Sequence, residues 1–198
     1  LAPVRIGSDS DWQEVSAGNQ FSCGIRNQGD LYCWGNNDAG QLGLGDYNYR
    51  GVPAQVPGGP WQSVDAGNRH TCAIEVAKSH VYCWGRNVEK QVSSASSKTN
   101  FLSPVLFEGA NFPAAQVGAG GEGTCVRLKD TSTAAELNNA VYCSKGATPD
   151  MSGSTAGSYV GCTSSPCVLK NIPKFRDIDV GLGHACGVVM NSGNSAVC

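Results

Sequence analysis

One cysteine-phased unit occurs four times in this chain, and that repetition constrains the fold more than any other feature. Trp12, Trp61, Ala114 and Phe175 each stand 11 residues before a cysteine: Cys23, Cys72, Cys125 and Cys186. Gly18, Gly67, Gly120 and Gly181 each stand five before the same cysteines. A second cysteine follows in every unit, at Cys33, Cys83, Cys143 and Cys198. Successive first cysteines are 49, 53 and 61 residues apart. A unit of this size cannot bury its own apolar face and is stable only when stacked on its neighbours, so the chain is expected to be a repeat array.

Each unit reads as short strands. The first holds small apolar residues around Val15, Val64, Val117 and Ile178. The second carries the first cysteine, in F-S-C-G-I, H-T-C-A-I, G-T-C-V-R-L and H-A-C-G-V-V. The third carries the second cysteine, in L-Y-C-W-G, V-Y-C-W-G, V-Y-C-S and A-V-C. The fourth is expected to begin with proline, at Pro53–Val56, Pro104–Phe107 and Pro166–Leu169, because an edge strand loses no ladder donor there. A similar stretch, Pro3–Ile6, stands alone at the start. Alternation of β-branched and aromatic residues between Gly, Asn and Ser supports strands, and no stretch sustains a helical period. Twenty-six glycines suit the many tight turns this requires. Four-stranded antiparallel units at this spacing predict an all-β fold of β-propeller blades.

The ten cysteines recur at fixed offsets and form no C-x-x-C pairs with histidine, so disulfides are favoured over zinc or free thiols. Residues directly opposed in an antiparallel pair bring Cα atoms within disulfide range. The expected bridges are Cys23–Cys33, Cys72–Cys83, Cys125–Cys143 and Cys186–Cys198, with Cys162–Cys167 closing a small loop. Such bridges place the chain in an oxidising compartment, extracellular or on a cell surface. Charged residues are 15% and the net charge is −2, with no Lys/Arg run, so no nucleic-acid partner is expected. No apolar run reaches membrane-spanning length, so no membrane contact is expected from this segment. The chain opens on Leu1 with no leader, which predicts a processed or interior piece.

The combination V-x-A-G-x-x-H-T-C-A-I, V-Y-C-W-G-x-N, G-Q-L-G-x-G-D and P-x-x-V resembles the regulator of chromosome condensation repeat. Residues 12–56 match best, 61–107 well, and 114–169 and 175–198 in their first halves. The resemblance implies a propeller of seven blades, with residues 1–6 the outer strand of a preceding blade, 12–56, 61–107 and 114–169 complete blades, and 175–198 an incomplete one. The other reading of the same sixteen strands is a four-bladed ring closed by Pro3–Ile6 against Ala196–Cys198. The founding member of that family is a nuclear nucleotide-exchange factor for a small GTPase. Paired cysteines and the lack of a basic tail resemble instead the secreted and ectodomain relatives, in which the propeller is a recognition scaffold. The expected function is therefore a non-catalytic extracellular scaffold for a protein partner or self-assembly, the alternative being guanine-nucleotide exchange.

No catalytic residues, metal site or cofactor are expected. His70 and His184 stand two before the first cysteine, where Phe21 and Gly123 stand in the other units, so they read as framework positions. His80 falls in a turn. No G-x-S-x-G elbow occurs, and G-Q-L-G-L-G-D lacks the Lys-Ser/Thr and helix of a phosphate loop. Trp34 and Trp84 recur in C-W-G and are expected to pack inside or between blades. The candidate binding surface is Tyr47, Tyr49 and Arg50, a Tyr/Arg group in a long loop of the kind favoured at hot spots.

Overall fold

The computed structural model describes residues 2–3, 5–107, 113–130, 141–144, 167–168, 175–182, 184–190 and 196–197. Its strands fall into four antiparallel sheets, one per sequence unit. Blade 1 is β1 (Glu14–Ala17), β2 (Phe21–Arg26), β3 (Asp30–Gly35) and β4 (Arg50–Gln55). Blade 2 is β5 (Trp61–Ala66), β6 (His70–Glu75), β7 (Val81–Arg86) and β8 (Asn100–Leu106). Blade 3 is β9 (Ala114–Ala119), β10 (Thr124–Leu128), β11 (Val141–Cys143) and β12 (Cys167–Val168). Blade 4 is β13 (Phe175–Val180), β14 (Ala185–Val189) and β15 (Ala196–Val197). Each sheet pairs its strands in chain order, and the described residues contain no helix.

The core lies between blades rather than within them. Phe21, Cys23, Leu31 and Leu42 of blade 1 cluster with Trp61, Val64 and Trp84 of blade 2. Ile74, Val81 and Val92 of blade 2 cluster with Ala114, Val117 and Val126 of blade 3. Cys125 and Val141 of blade 3 cluster with Phe175, Ile178 and Val180 of blade 4. This is the nearest-neighbour packing that the repeat required.

Successive first strands pack on one another to form the inner rim. There the backbone of each blade donates to the next: Asn19 N–H to Gly67 O (3.2 Å), Asn68 N–H to Gly120 O (3.0 Å) and Gly121 N–H to Gly181 O (3.0 Å). A Cβ on Gly18 or Gly67 would stand 2.4 Å from the carbonyl oxygen of the next blade's glycine, which is why glycine recurs five residues before each first cysteine.

Cys23 faces Cys33, Cys72 faces Cys83 and Cys125 faces Cys143 across β2–β3, β6–β7 and β10–β11. Each pair is a disulfide with Cα atoms 4.1 Å apart, buried at the middle of its blade. Cys186 is also disulfide-bonded. Its expected partner Cys198, and Cys162 of the expected Cys162–Cys167 bridge, lie outside the described residues.

Two expectations about strands require correction. The fourth strands start before their prolines, at Arg50 and Asn100. In both blades one residue of the third strand stands against three of the fourth, between Cys33↔Ala54 and Gly35↔Arg50 and between Cys83↔Val105 and Gly85↔Phe101. Pro53 and Pro104 sit inside these irregularities, where no ladder donor is required of them. Of the expected Pro3–Ile6 strand, residues 3, 5 and 6 lie outside any strand, and Val4 lies outside the described residues. Arg5 instead curls the segment, donating to Ser8 O and to Asp9 O (3.2 Å). Among the described residues no ladder joins this segment to β15, and β13–β14–β15 remains a three-stranded sheet.

The loop between third and fourth strands reaches over the next blade. In blade 1, Asn37 accepts from Leu42 N–H (3.0 Å) and donates to Asp46 O (2.9 Å), while Gln41 accepts from Ala39 N–H (2.8 Å). The brace holds Gln41 O toward blade 2, where it accepts from Thr71 Oγ1 (2.7 Å) and Trp84 Nε1 (2.9 Å). Gly43, at φ +73°, lies flat on the Trp84 indole, where a Cβ would approach Nε1 to 2.7 Å. Blade 2 repeats the brace. Asn87 accepts from Val92 N–H (3.0 Å), Gln91 accepts from Glu89 N–H (3.0 Å), and Gln91 O accepts from Thr124 Oγ1 of blade 3 (2.9 Å).

Candidate functional site

The blade 1 loop that clamps blade 2 also carries Tyr47, Tyr49 and Arg50. Asn37, fully buried, anchors it from beneath by donating to the main-chain oxygen of Asp46 and to its carboxylate (3.2 Å). Asp46 accepts from Asn48 N–H (2.8 Å) and pairs with Arg50 across one turn (2.7 Å). The Arg50 guanidinium beside it, with the Asn48 amide, holds the Asp46 carboxyl below its ordinary range. Arg50 also donates to Asn48 O (2.8 Å). The loop is thus braced, and it presents Tyr47 and Tyr49, 52% and 71% exposed. The structure brings the three candidate residues together, with the tyrosines outward and Arg50 spent largely on bracing the loop.

A second feature lies at the inner rim. Glu14, Asp65, Asp177 and Asp179 border a cleft of about 410 Å³ between the first strands. Asp65 accepts from Ser16 Oγ (2.8 Å), Ala66 N–H (3.1 Å) and Ala119 N–H (2.7 Å), so it stitches blades 1, 2 and 3. Burial pushes the Asp65 and Glu14 carboxyls up, opposed by those hydrogen bonds for Asp65 and by the Val64 amide for Glu14. Gln116 repeats the Glu14 role at the blade 3–blade 4 interface, bonding both Ile178 N–H (2.9 Å) and Ile178 O (2.8 Å). These groups are occupied in joining blades, and among the described residues no three His, Cys, Asp or Glu side chains are placed to hold a metal ion.

The histidines do not converge. His70 is fully buried, pairs opposite Gly85 as Phe21 pairs opposite Gly35, and places Nε2 2.9 Å from Thr124 Oγ1. Thr124 spends its one hydroxyl hydrogen on Gln91 O, so His70 Nε2 carries the proton and donates. Its Nδ1 has no partner, and burial pushes the imidazole pKa down to about 4. His184, in blade 4, is exposed. Trp84 is fully buried between blades, whereas Trp34 is only partly buried. Sequence reasoning missed the Gln41 and Gln91 clamps. Their signal was an Asn followed four residues later by Gln, present in both blades.

The class these features define is a β-propeller of disulfide-pinned, four-stranded blades joined by repeated interblade clamps. Residues 28–74 match the model of the Regulator of chromosome condensation (RCC1) repeat, and a second model of the same repeat matches residues 12–41 and 61–91. Residues 12–91 thus match RCC1-type repeats, and the sheets share the fold of RCC1 propellers. Human WBSCR16 is similar in structure at 20% identity and a TM-score of 0.73, over 93% of this chain and 46% of that one. Yeast RCC1 (Prp20), solved bound to Kap60, is 17% identical with a TM-score of 0.71, over 94% of this chain and 44% of that one. The ectodomain of the receptor kinase CR4 from Physcomitrella patens is 18% identical with a TM-score of 0.62, over 100% of this chain and 43% of that one. The chain therefore spans less than half the length of each of these three.

Proposed function

We propose that this chain is a non-catalytic segment of an extracellular propeller scaffold, presenting the Tyr47–Tyr49 loop to a protein partner. The observation that carries the reading is the disulfide at the buried centre of each of the first three blades. Persistent bridges of this kind require an oxidising compartment. The likeness to a receptor-kinase ectodomain supports the same setting by analogy of fold. Exposed aromatic side chains on a braced loop lose little conformational freedom on binding, which favours Tyr47 and Tyr49 as contact residues. The span of less than half of each relative, with no ladder among the described residues between the N-terminal segment and β15, supports an arc of a larger ring. His70, buried and proton-donating to a hydroxyl, serves the fold rather than proton transfer.

The test is alkylation of the native protein before and after reduction, read by intact mass. The scaffold reading expects no cysteine to react until the protein is reduced. Free alkylation of the blade cysteines in freshly isolated protein would overturn it and return guanine-nucleotide exchange on a small GTPase as the reading to assay.

A further inference from the structure

Blade 2 carries four cations at the end of the blade from which its long loop leaves, and the repeat gives each of them an equivalent in blade 1. Asn36 N–H donates to Gln20 O and Arg86 N–H to Arg69 O, both at 2.8 Å. Arg69 therefore stands where blade 1 has Gln20, and Arg86 where it has Asn36. Gly40 N–H donates to Asn37 O (3.1 Å) and Lys90 N–H to Asn87 O (3.2 Å), so Lys90 stands in the place of Gly40. Asn37 donates to Asp46 O (2.9 Å) and Asn87 to Lys98 O (3.0 Å), so Lys98 stands in the place of Asp46. Positions that hold one carboxylate and no cation in blade 1 are all cationic in blade 2. Blade 3 has Glu122 at the Arg69 position, two residues after its inner-rim glycine.

Two of these exchanges rebuild the loop itself. In blade 1 the brace is neutral, because Asp46 pairs with Arg50. In blade 2 Phe101 takes the Arg50 place, opposite Gly85 as Arg50 is opposite Gly35, and the Lys98 ammonium lies over its ring, 5.8 Å from the centroid. The brace is kept and a positive charge is left over. Lys90 has φ +64°, in the left-handed region that Gly40 enters freely at φ +78°. A lysine is thus held there against its backbone preference. Its ammonium donates to Ser96 O (2.8 Å), two residues from Lys98, which gathers both lysines on one loop.

We infer that this end of blade 2 binds a sulfated polysaccharide. Arg69 and Arg86, whose planar guanidinium matches a carboxylate, already face Asp38 and Glu89. Lys90 and Lys98 have no carboxylate partner among the described residues. An ammonium is a point charge with no planar fork, which suits a tetrahedral sulfate. Ser97 and Thr99, both exposed, flank Lys98 and offer hydroxyls to sugar oxygens. A chain of net charge −2 can present such a surface because carboxylates gather elsewhere, at Glu14, Asp65, Asp177 and Asp179 on the inner-rim cleft. The ligand class rests on the extracellular part of the proposed function. Alkylation before reduction tests that part, and absent heparin binding in protein whose cysteines are sealed strikes this inference alone.

The test is titration calorimetry of the 198-residue chain with heparin, and with neutral dextran and poly-L-glutamate as comparison probes. Heparin should bind at low salt and release as salt rises, because the contacts are exposed and screened. Lys90→Gly with Lys98→Gln should weaken binding by about 10-fold or more. Lys78→Gln, which changes an exposed lysine in the hairpin at the opposite end of the same blade, should leave binding unchanged. Lys90→Gly installs the residue that blade 1 holds in this turn, so the melting temperature should not fall with it. If the double variant does not fold, Lys98→Gln alone decides, with a loss of about 3-fold or more expected. No heparin binding, equal weakening by Lys78→Gln, or equal binding of neutral dextran would overturn the proposal. So would poly-L-glutamate binding as tightly as heparin with the same lysine dependence, which would make an acidic protein segment the occupant.

Discussion

Acidification should weaken this fold through His70. The imidazole is fully buried, donates from Nε2 to Thr124 Oγ1, and has no partner at Nδ1. A second proton would therefore create an unpaired cation between blades 2 and 3. Burial lowers the pKa from 6.5 in the unfolded chain to about 4 in the folded one. Between those values the unfolded chain binds a proton that the folded one refuses, so stability is fully present above about pH 6.5 and is lost as pH falls toward 4. From about pH 7.5 to about pH 4.5, the loss from this one group is about 2–3 kcal/mol, because each pKa unit is worth about 1.4 kcal/mol. His70→Phe, which installs the residue that blade 1 holds at Phe21, removes the titrating group and leaves Thr124 its bond to Gln91 O. Raised carboxyls at Glu14 and Asp65 act in the opposite direction, so the difference between the two proteins is what isolates His70. Urea unfolding at both pH values should show the parent losing about 2–3 kcal/mol more than His70→Phe. Equal losses in the two proteins would refute the assignment of a neutral, unpartnered imidazole.

Three further outcomes follow from the same contacts. Replacing Cys72 and Cys83 together by alanine opens a bridge with a sequence separation of 11 and should cost about 3 kcal/mol in urea unfolding. Gly67→Ala puts a Cβ 2.4 Å from Gly120 O and 2.7 Å from the His70 ring, and should lower stability by about 2 kcal/mol, read as a fall in the urea midpoint. Asp65→Ala leaves the Ala119 N–H without its acceptor across the blade 2–blade 3 interface and should cost about 1–3 kcal/mol, with faster hydrogen exchange at that amide.

The blades, their strand order and the opposed cysteines could be read from the sequence because they depend on offsets within one unit. Trp34 and Trp84 show where that reading stopped. They share the same C-W-G context, yet one is partly buried and the other fully buried, because burial depends on whether a braced loop lies in front of the blade. The clamp itself uses a main-chain oxygen, so the identity of Gln41 does not announce it. The residue pattern marks only the turn that aims the oxygen. The fourth strands began earlier than expected because proline was read as a strand start, whereas a local irregularity of the edge accommodates it mid-strand. Tyr47 and Tyr49 were legible as an exposed pair. The pairing of Arg50 with Asp46 depends on the brace from Asn37, which lies nine residues before Asp46 and has no local periodic signature.

The bridges of the first three blades have a consequence for how the chain is made. Each closes within a single antiparallel pair, with separations of 10, 11 and 18 residues, while the next unit's thiols lie about 50 residues further on. Chain synthesis proceeds at about 5–20 residues per second, so each hairpin's two thiols emerge together, seconds before the next pair is available. Oxidation can then follow the order of translation, blade by blade, with each correct partner present before a wrong one exists. A secretory cell would need little isomerase activity to mature such an array, and lengthening it by further blades would not add to the number of ways it can mispair during synthesis.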